Sequence, residues 1–304
     1  MLATSYHPLR PLHEGASVAL VAPSGILPDP SHIEQAVENV RSLGWNPVLG
    51  ENVAMLHGYL AGTDEQRSSD LNAAFRNDSV DAIWCIRGGY GAMRLLPEVD
   101  YAALRANPRP VIGFSDITAL HSAIYRECGL VSFHGPTARG ELGDFSRSSL
   151  ETALVGQGNP CGVALAGRVL RPGRARGRLA GGNLALVTAM MGTPWSVDFE
   201  GAILIIEDVD EAVYRVDRMM QQLLLSGALA QCVALVAGDF RPPAGEVEHE
   251  NRAFDDVIAE AADRAGIPCI AGAPFGHIRD QWTIPLGALA EVDTATLSLH
   301  VGSE

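Results

Sequence analysis

The segment PVIGFSDITALHSAIYREC, residues 110–128, decides the fold. PVIGF (110–114) is a short apolar strand, and the helical pattern of DITALHSAIYREC (116–128) follows at once. A buried strand passing directly into a helix is half of a strand–helix–strand unit, the building block of a parallel sheet. Upstream, the pattern repeats. SVALVAPSG (17–25) reads as a buried strand ending in a Pro-Ser-Gly turn. Ser31 and Glu34 are spaced as a capping box, Ile33, Ala36, Val37, Val40 and Leu43 keep helical spacing, and Gly44 ends the helix. Thr63 with Gln66 offers a second box ahead of Leu71, Ala74 and Phe75. VDAIWCI (80–86) is the next strand, and Arg87-Gly-Gly-Tyr-Gly91 is the turn after it.

This alternation predicts a parallel α/β domain over residues 1–155. Residues 156–177 change character, with GQGNP, RPG and a run of arginines that continues to Arg178. They read as a solvated linker or edge strand between domains, or else as an anion-binding patch. Residues 178–304 read as a second, mixed α/β domain. It opens with a Gly-rich turn, Gly181-Gly-Asn183, and a helix over 184–191. A strand AILIIE (202–207), a helix over 217–225, a strand CVALVAG (232–238) and a helix over 252–265 follow, and short β runs occupy 283–300.

Composition narrows the function classes. A chain of 304 residues that is 47% hydrophobic can bury a full core. Its net charge of −14 disfavours nucleic acid and anionic membranes as partners. The five cysteines form no CxxC pair, which suits a reducing compartment and argues against a disulfide framework or zinc site. The opening stretch MLATSYHPLRPLHEG has no apolar h-region, so the expectation is a cytoplasmic protein.

In parallel α/β sheets, function gathers where strands end. Ser115, between a strand and a helix start, suits a nucleophile elbow, with free N–H groups of the helix start beside it; as a plainer reading, Ser115 or Asp116 caps the helix. The glycines of Arg87-Gly-Gly-Tyr-Gly91 let backbone approach a ligand, or simply make a tight turn. Glu207, at the end of AILIIE, either orients a histidine or salt-bridges to Arg215 or Arg218. Of nine histidines, His277 in PFGH and His134 in SFHGP are the best placed, each in a Gly-containing loop. His121 lies within the helix after Ser115. The order Ser, Glu, His is one in which triads occur, and no HExxH or clustered metal-ligand pattern competes.

Seven segments in order carry a resemblance: VAPSG (21–25), AGTDEQRSSDLNAAF (61–75), IRGGYGAMRLL (86–96), GFSDITALH (113–121), GRLAGGNLALVTAMMGTPW (177–195), IIEDVDEAVYRVDRMMQQL (205–223) and PFGHIRDQWTIPLGA (274–288). With these the chain resembles, over nearly its whole length, the LD-carboxypeptidase family of serine peptidases, the muramoyl-tetrapeptide carboxypeptidases of murein recycling. The resemblance implies Ser115 as nucleophile, Glu207 as triad carboxylate and His277 as base. It implies oxyanion donors at the N–H of Asp116 and in the Gly88-Gly89 turn, and an active site in the cleft between two domains. It further implies a small murein peptide as substrate, no cofactor and no metal, and a homodimer. Arg87, Tyr90, Arg94 and Trp195 are the expected substrate contacts. Two other functions stay open: a self-immunity hydrolase of a peptide–nucleotide antibiotic on the same scaffold, and a catalytically silent small-molecule binding protein.

Overall fold

The computed structural model describes residues 9–156, 158–245 and 252–302; residues 1–8, part of the stretch without signal-peptide character, lie outside them. The strands are β1 (Ser17–Val21), β2 (Asn46–Leu49), β3 (Ala82–Cys85), β4 (Val111–Gly113), β5 (Ser132–His134), β6 (Gly162–Val163), β7 (Arg168–Arg171), β8 (Arg174–Asn183), β9 (Ala202–Val209), β10 (Ala234–Arg241), β11 (Cys269–Ala271), β12 (Ile284–Leu286), β13 (Leu289–Asp293) and β14 (Ser298–Val301). The helices are α1 (Ser31–Ser42), α2 (Asp64–Arg76), α3 (Ala92–Leu95), α4 (Tyr101–Ala106), α5 (Thr118–Cys128), α6 (Asp144–Val155), α7 (Leu184–Ala189), α8 (Val213–Leu225) and α9 (Phe254–Ala265).

They build two sheets. The first has the order β12-β5-β4-β3-β1-β2, and β1 to β5 run parallel. Strand alternation sorts its side chains to two covered faces. Val18, Leu20, Trp84 and Ile112 meet α1 and α6 through Val40 and Leu150. Ala19, Val21, Ile83 and Val111 meet α2, α4 and α5 through Leu71, Leu104 and Ala123. The second sheet has the order β6-β14-β13-β8-β9-β10-β11-β7. Its centre, β8 to β11, is parallel, and antiparallel strands flank it on both sides. The two sheets interlock, because β12, late in the chain, joins the first sheet antiparallel to β5, with Ile284 opposite His134. Among the described residues, no helix is long and apolar enough to cross a membrane.

Three local expectations change. The box at Thr63 and Gln66 forms, but the one at Ser31 does not. Asp29 reaches the Ser31 N–H first, at 2.9 Å, and Pro30 takes the cap position. Of the two plainer readings of the segment 156–177, the free linker falls and the edge strand holds, since β6 and β7 form the two edges of the second sheet and β8 begins at Arg174. Its arginines are matched by carboxylates, Arg168 with Asp255, Arg171 with Asp263 and Arg174 with Glu291, which removes the anion-patch reading for them. Gly181-Gly182 is not a turn; it closes the ten-residue strand β8, paired with Ile205 and Ile206.

The two glycines answer two close approaches: a Cβ on Gly181 would lie 2.2 Å from the Ile205 carbonyl oxygen in β9, and at Gly182 β8 passes against the start of α5. A Cβ on Gly182 would lie 2.4 Å from the Thr118 hydroxyl oxygen, and its φ of +135° suits only glycine. That hydroxyl also accepts the Asn183 N–H at 2.9 Å. Gly182→Ala is therefore expected to lower stability by about 2 kcal/mol or more through overpacking and backbone strain. Urea unfolding measures this, and a midpoint equal to wild type would contradict the close approach.

Candidate active site

Strand β4 ends at Gly113, and the chain turns at Ser115 into a 3₁₀ turn (Ser115–Ile117) that leads into α5. Ser115 has φ of +65°. For a residue with a side chain, that conformation costs roughly 1–3 kcal/mol, and it persists only where the surroundings hold it. It sets the Ser115 hydroxyl at the tip of the sheet. Three contacts hold the turn. The ring Nε2 of His121 bonds the Gly113 carbonyl at 2.8 Å, and burial lowers that imidazole to about 4, so it is neutral and donates. The Asp116 carboxylate accepts the Ala92 N–H at 2.8 Å. The third is backbone approach: a Cβ on Gly88 would sit 2.9 Å from Ser115 Cβ and 3.1 Å from its Oγ.

The Gly-rich turn is itself braced. Gly25 donates its N–H to the Gly88 carbonyl at 3.0 Å. The buried Arg67 donates to the carbonyls of Pro23 and Gly91 and pairs with Asp64. Asp116 is buried, and desolvation raises its carboxyl above the ordinary range, against the pull of Ser24, the Ala92 N–H and the Arg67 charge. Among the described residues, the N–H groups of Gly88 and Gly89 have no hydrogen-bond partner. The Asp116 N–H lies in the first turn of its helix, where no intrahelical acceptor exists. Of these residues, Gly88 lies against Ser115 and Asp116 follows it in the chain.

The second sheet supplies the other two side chains. Glu207 lies within β9 and is fully buried. Its Oε2 lies 2.8 Å from Nδ1 of His277. His277 Nε2 lies 3.2 Å from Ser115 Oγ. A carboxylate accepts, so Nδ1 carries the proton and Nε2 is free to accept from the hydroxyl. The ring also packs edge-on against Phe114, centroids 4.9 Å apart. Gly276 makes this possible, because a Cβ there would meet Glu207 Oε2 at 2.9 Å. Glu207 does not salt-bridge to Arg215 or Arg218. Arg215 faces Glu211 at 3.7 Å, and Arg218 lies over the Tyr214 ring.

The remaining expected residues divide. His134 is not in a loop but in β5, buried between Phe114 and Phe275, and desolvation holds its imidazole well below its ordinary range. It packs beneath the site as a neutral ring. Arg87 is half-buried beside the Gly-rich turn, and Tyr90, in that turn, is exposed and meets Tyr59 edge-on. Arg94 is engaged by Asp64 through three hydrogen bonds of 2.6–3.0 Å. Trp195 lies along α5, its carbonyl on the Ser122 hydroxyl and its indole N–H on Glu127, two to three turns beyond Ser115. Neither of these two joins the cluster. Arg139, half-buried next to Arg87, was not singled out by the sequence; its loop follows β5, whose strand character went unread.

Glu207→Gln and His277→Ala are each expected to reduce kcat by several orders of magnitude, with a double variant little worse than the poorer single one, because hydrogen-bonded partners act as a unit. Losses that multiply in steady-state kinetics would show two independent roles.

Comparison with known proteins agrees with this layout. Residues 18–135 match the model of the LD-carboxypeptidase N-terminal domain, and residues 176–292 match that of the LD-carboxypeptidase C-terminal domain. The chain is 34% identical over 301 residues to the probable murein peptide carboxypeptidase of Bacillus subtilis, covering 97% of this chain and 94% of that protein. The crystal structure of muramoyltetrapeptide carboxypeptidase from Oxalobacter formigenes superposes with a TM-score of 0.80 at 31% identity, over 93% of this chain and 97% of that one. The structure of MccF in complex with glutamyl sulfamoyl guanosine superposes with a TM-score of 0.87 at 25% identity, over 98% and 99%.

Proposed function

Since the chain belongs to the LD-carboxypeptidase family, we propose that it is a serine carboxypeptidase that releases the terminal D-alanine from murein tetrapeptide in cytoplasmic peptidoglycan recycling. The observation that carries the chemistry is the hydrogen-bonded series Glu207–His277–Ser115, with Ser115 in a strained turn. The substrate class rests on the relatives named for murein peptides, at 34% and 31% identity.

Each step follows from an atom already placed. Ser115 Oγ attacks the scissile carbonyl carbon while His277 Nε2 takes its proton. Glu207, already holding Nδ1–H, stabilises the imidazolium that forms. The N–H groups of Asp116 and of Gly88 or Gly89 stabilise the oxyanion, each by about 3 kcal/mol. His277 then protonates the leaving amine, and D-alanine departs. Water, deprotonated by His277, releases the tripeptide from Ser115. No step draws on a cofactor. By the family resemblance the enzyme works as a homodimer. A soluble tetrapeptide, not the intact wall, is the fragment a cytoplasmic enzyme meets.

The reading is tested with two tetrapeptides that differ only in the chirality of the terminal alanine, with products identified by mass. Wild type is expected to cleave the D-terminated peptide far faster, since the methyl group of the wrong enantiomer misplaces the carbonyl relative to the oxyanion donors. Ser115→Ala should remove turnover by several orders of magnitude while its melting curve stays that of a folded protein. Equal rates on both peptides, or cleavage of an acyl-linked nucleotide and not of the tetrapeptide, would overturn the assignment in favour of the MccF-like alternative. Absence of any turnover would leave a binding protein.

A further inference from the structure

A carboxypeptidase must recognise a terminal carboxylate. On the reading above, that charge lies one residue beyond the carbon attacked by Ser115. Of the arginines near the Gly-rich turn, Arg67 and Arg94 are both committed to Asp64. Arg87 and Arg139 are not. Arg87 donates to the Ile26 carbonyl. Among the described residues, the Arg139 guanidinium makes no hydrogen bond or ion pair. We propose that Arg87 and Arg139 together clamp the terminal carboxylate of the peptide substrate; this rests on the carboxypeptidase reading and assigns its specificity.

Three observations carry it. The first is position. In the first sheet β1 is flanked by β2 on one side and by β3, β4 and β5 on the other. The crevice beyond the carboxyl ends of β1 and β3 is thus the point where the strand order reverses, the place where open α/β sheets bind ligands. Arg87 follows β3 by two residues and reaches across to Ile26, beyond β1. Its neighbour Gly88 lies against Ser115, and consecutive Cα atoms are about 3.8 Å apart. Arg87 is therefore the chain neighbour of the residue packed on Ser115, with its side chain laid along the same crevice toward Ile26.

The second is preorganisation. The Arg139 N–H bonds the Ile86 carbonyl at 3.1 Å. The Asn39 side-chain amide of α1 bonds the carbonyls on either side, Ala138 at 2.7 Å and Gly140 at 2.6 Å. The backbone of Arg139 is pinned on both sides, yet its side chain has nothing in the described protein to hold. Such bracing of a residue with an unused charged head fits a site awaiting a ligand.

The third is charge. The two guanidinium groups are half-buried and close enough that burial and the Arg87 charge lower the Arg139 pKa. Two like charges in a partly dry crevice are unfavourable alone, and a carboxylate relieves them. In a chain of net charge −14, this local positive pair also gives an anionic peptide a place to dock.

The test compares the free tetrapeptide with its C-terminal amide, which keeps the scissile bond and loses the charge. Wild type should favour the acid in kcat/KM. In R139Q, and in R87Q, that preference should shrink by about 10- to 100-fold, the rate on the amide falling far less, while R139K keeps part of it. Melting curves check that the variants fold. Equal losses on acid and amide, or no loss, would overturn the clamp. If wild type leaves the tetrapeptide intact, the catalytic reading fails by itself. Calorimetry with N-acetyl-D-alanine then decides the clamp: binding that weakens in R139Q supports it, and equal or absent binding in wild type and R139Q refutes it.

Discussion

The site depends on a carboxylate placed where water cannot reach it. Glu207 points from the interior of β9 and is fully buried, and a charge so placed costs several kcal/mol unless it is paired. Its partner is the Nδ1–H of His277 at 2.8 Å. Breaking that pair would strand the charge, so the loop that carries His277 is drawn back onto β9. Phe275, fully buried, and Gly276, with φ of +109°, shape the loop for this return. The same bond fixes the imidazole tautomer, so one interaction serves packing and the orientation of the ring together.

Sheet register brings this ring to Ser115, 162 residues away in the chain. Gly113 pairs with His134 across β4 and β5, and His134 pairs with Ile284 across β5 and β12. Ser115 lies two residues past the first of these positions and His277 seven before the last. The chain thus enters the first sheet directly after presenting His277 to it. Because β12 belongs by sequence to the second half, the two halves cannot separate without breaking a sheet. A Glu–His–Ser series split between domains joined only by a linker would be free to drift; here hydrogen-bonded strands limit that motion.

Much of this was legible in advance, for identifiable reasons. Ser115, Glu207 and His277 each sit beside an apolar run short enough to read as a buried strand or its sequel, and each breaks the pattern with a polar side chain. Long buried strands such as AILIIE leave little room for another reading. What failed were short or mixed elements. SFH (132–134) carries three residues and a histidine, so it looked like loop, and Arg139 after it was missed with it. RARGRLAGGN is a full strand, yet its three arginines and three glycines hid it. Its pairing with β9 and β13 overrides that poor propensity. Arg94 and Trp195 are conspicuous in the sequence, but only packing reveals that Asp64 and α5 already hold them.

The glycines explain why the site has one geometry. Gly88 faces Ser115, Gly276 faces Glu207 and Gly182 faces Thr118, and at each a single added carbon would come within 3 Å of its neighbour. These are the places where one segment's backbone meets another segment's side chain without a layer between. Interdigitated side chains can shift by rotamer changes; a backbone seated on a side chain has far fewer ways to relax. The strain at Ser115, roughly 1–3 kcal/mol, is held by this lack of alternatives and by the His121 and Asp116 hydrogen bonds. A serine in an unstrained turn would bring its hydroxyl into line with His277 only part of the time. Held here, the hydroxyl faces Nε2 before any substrate arrives, and the work of orientation is done in folding.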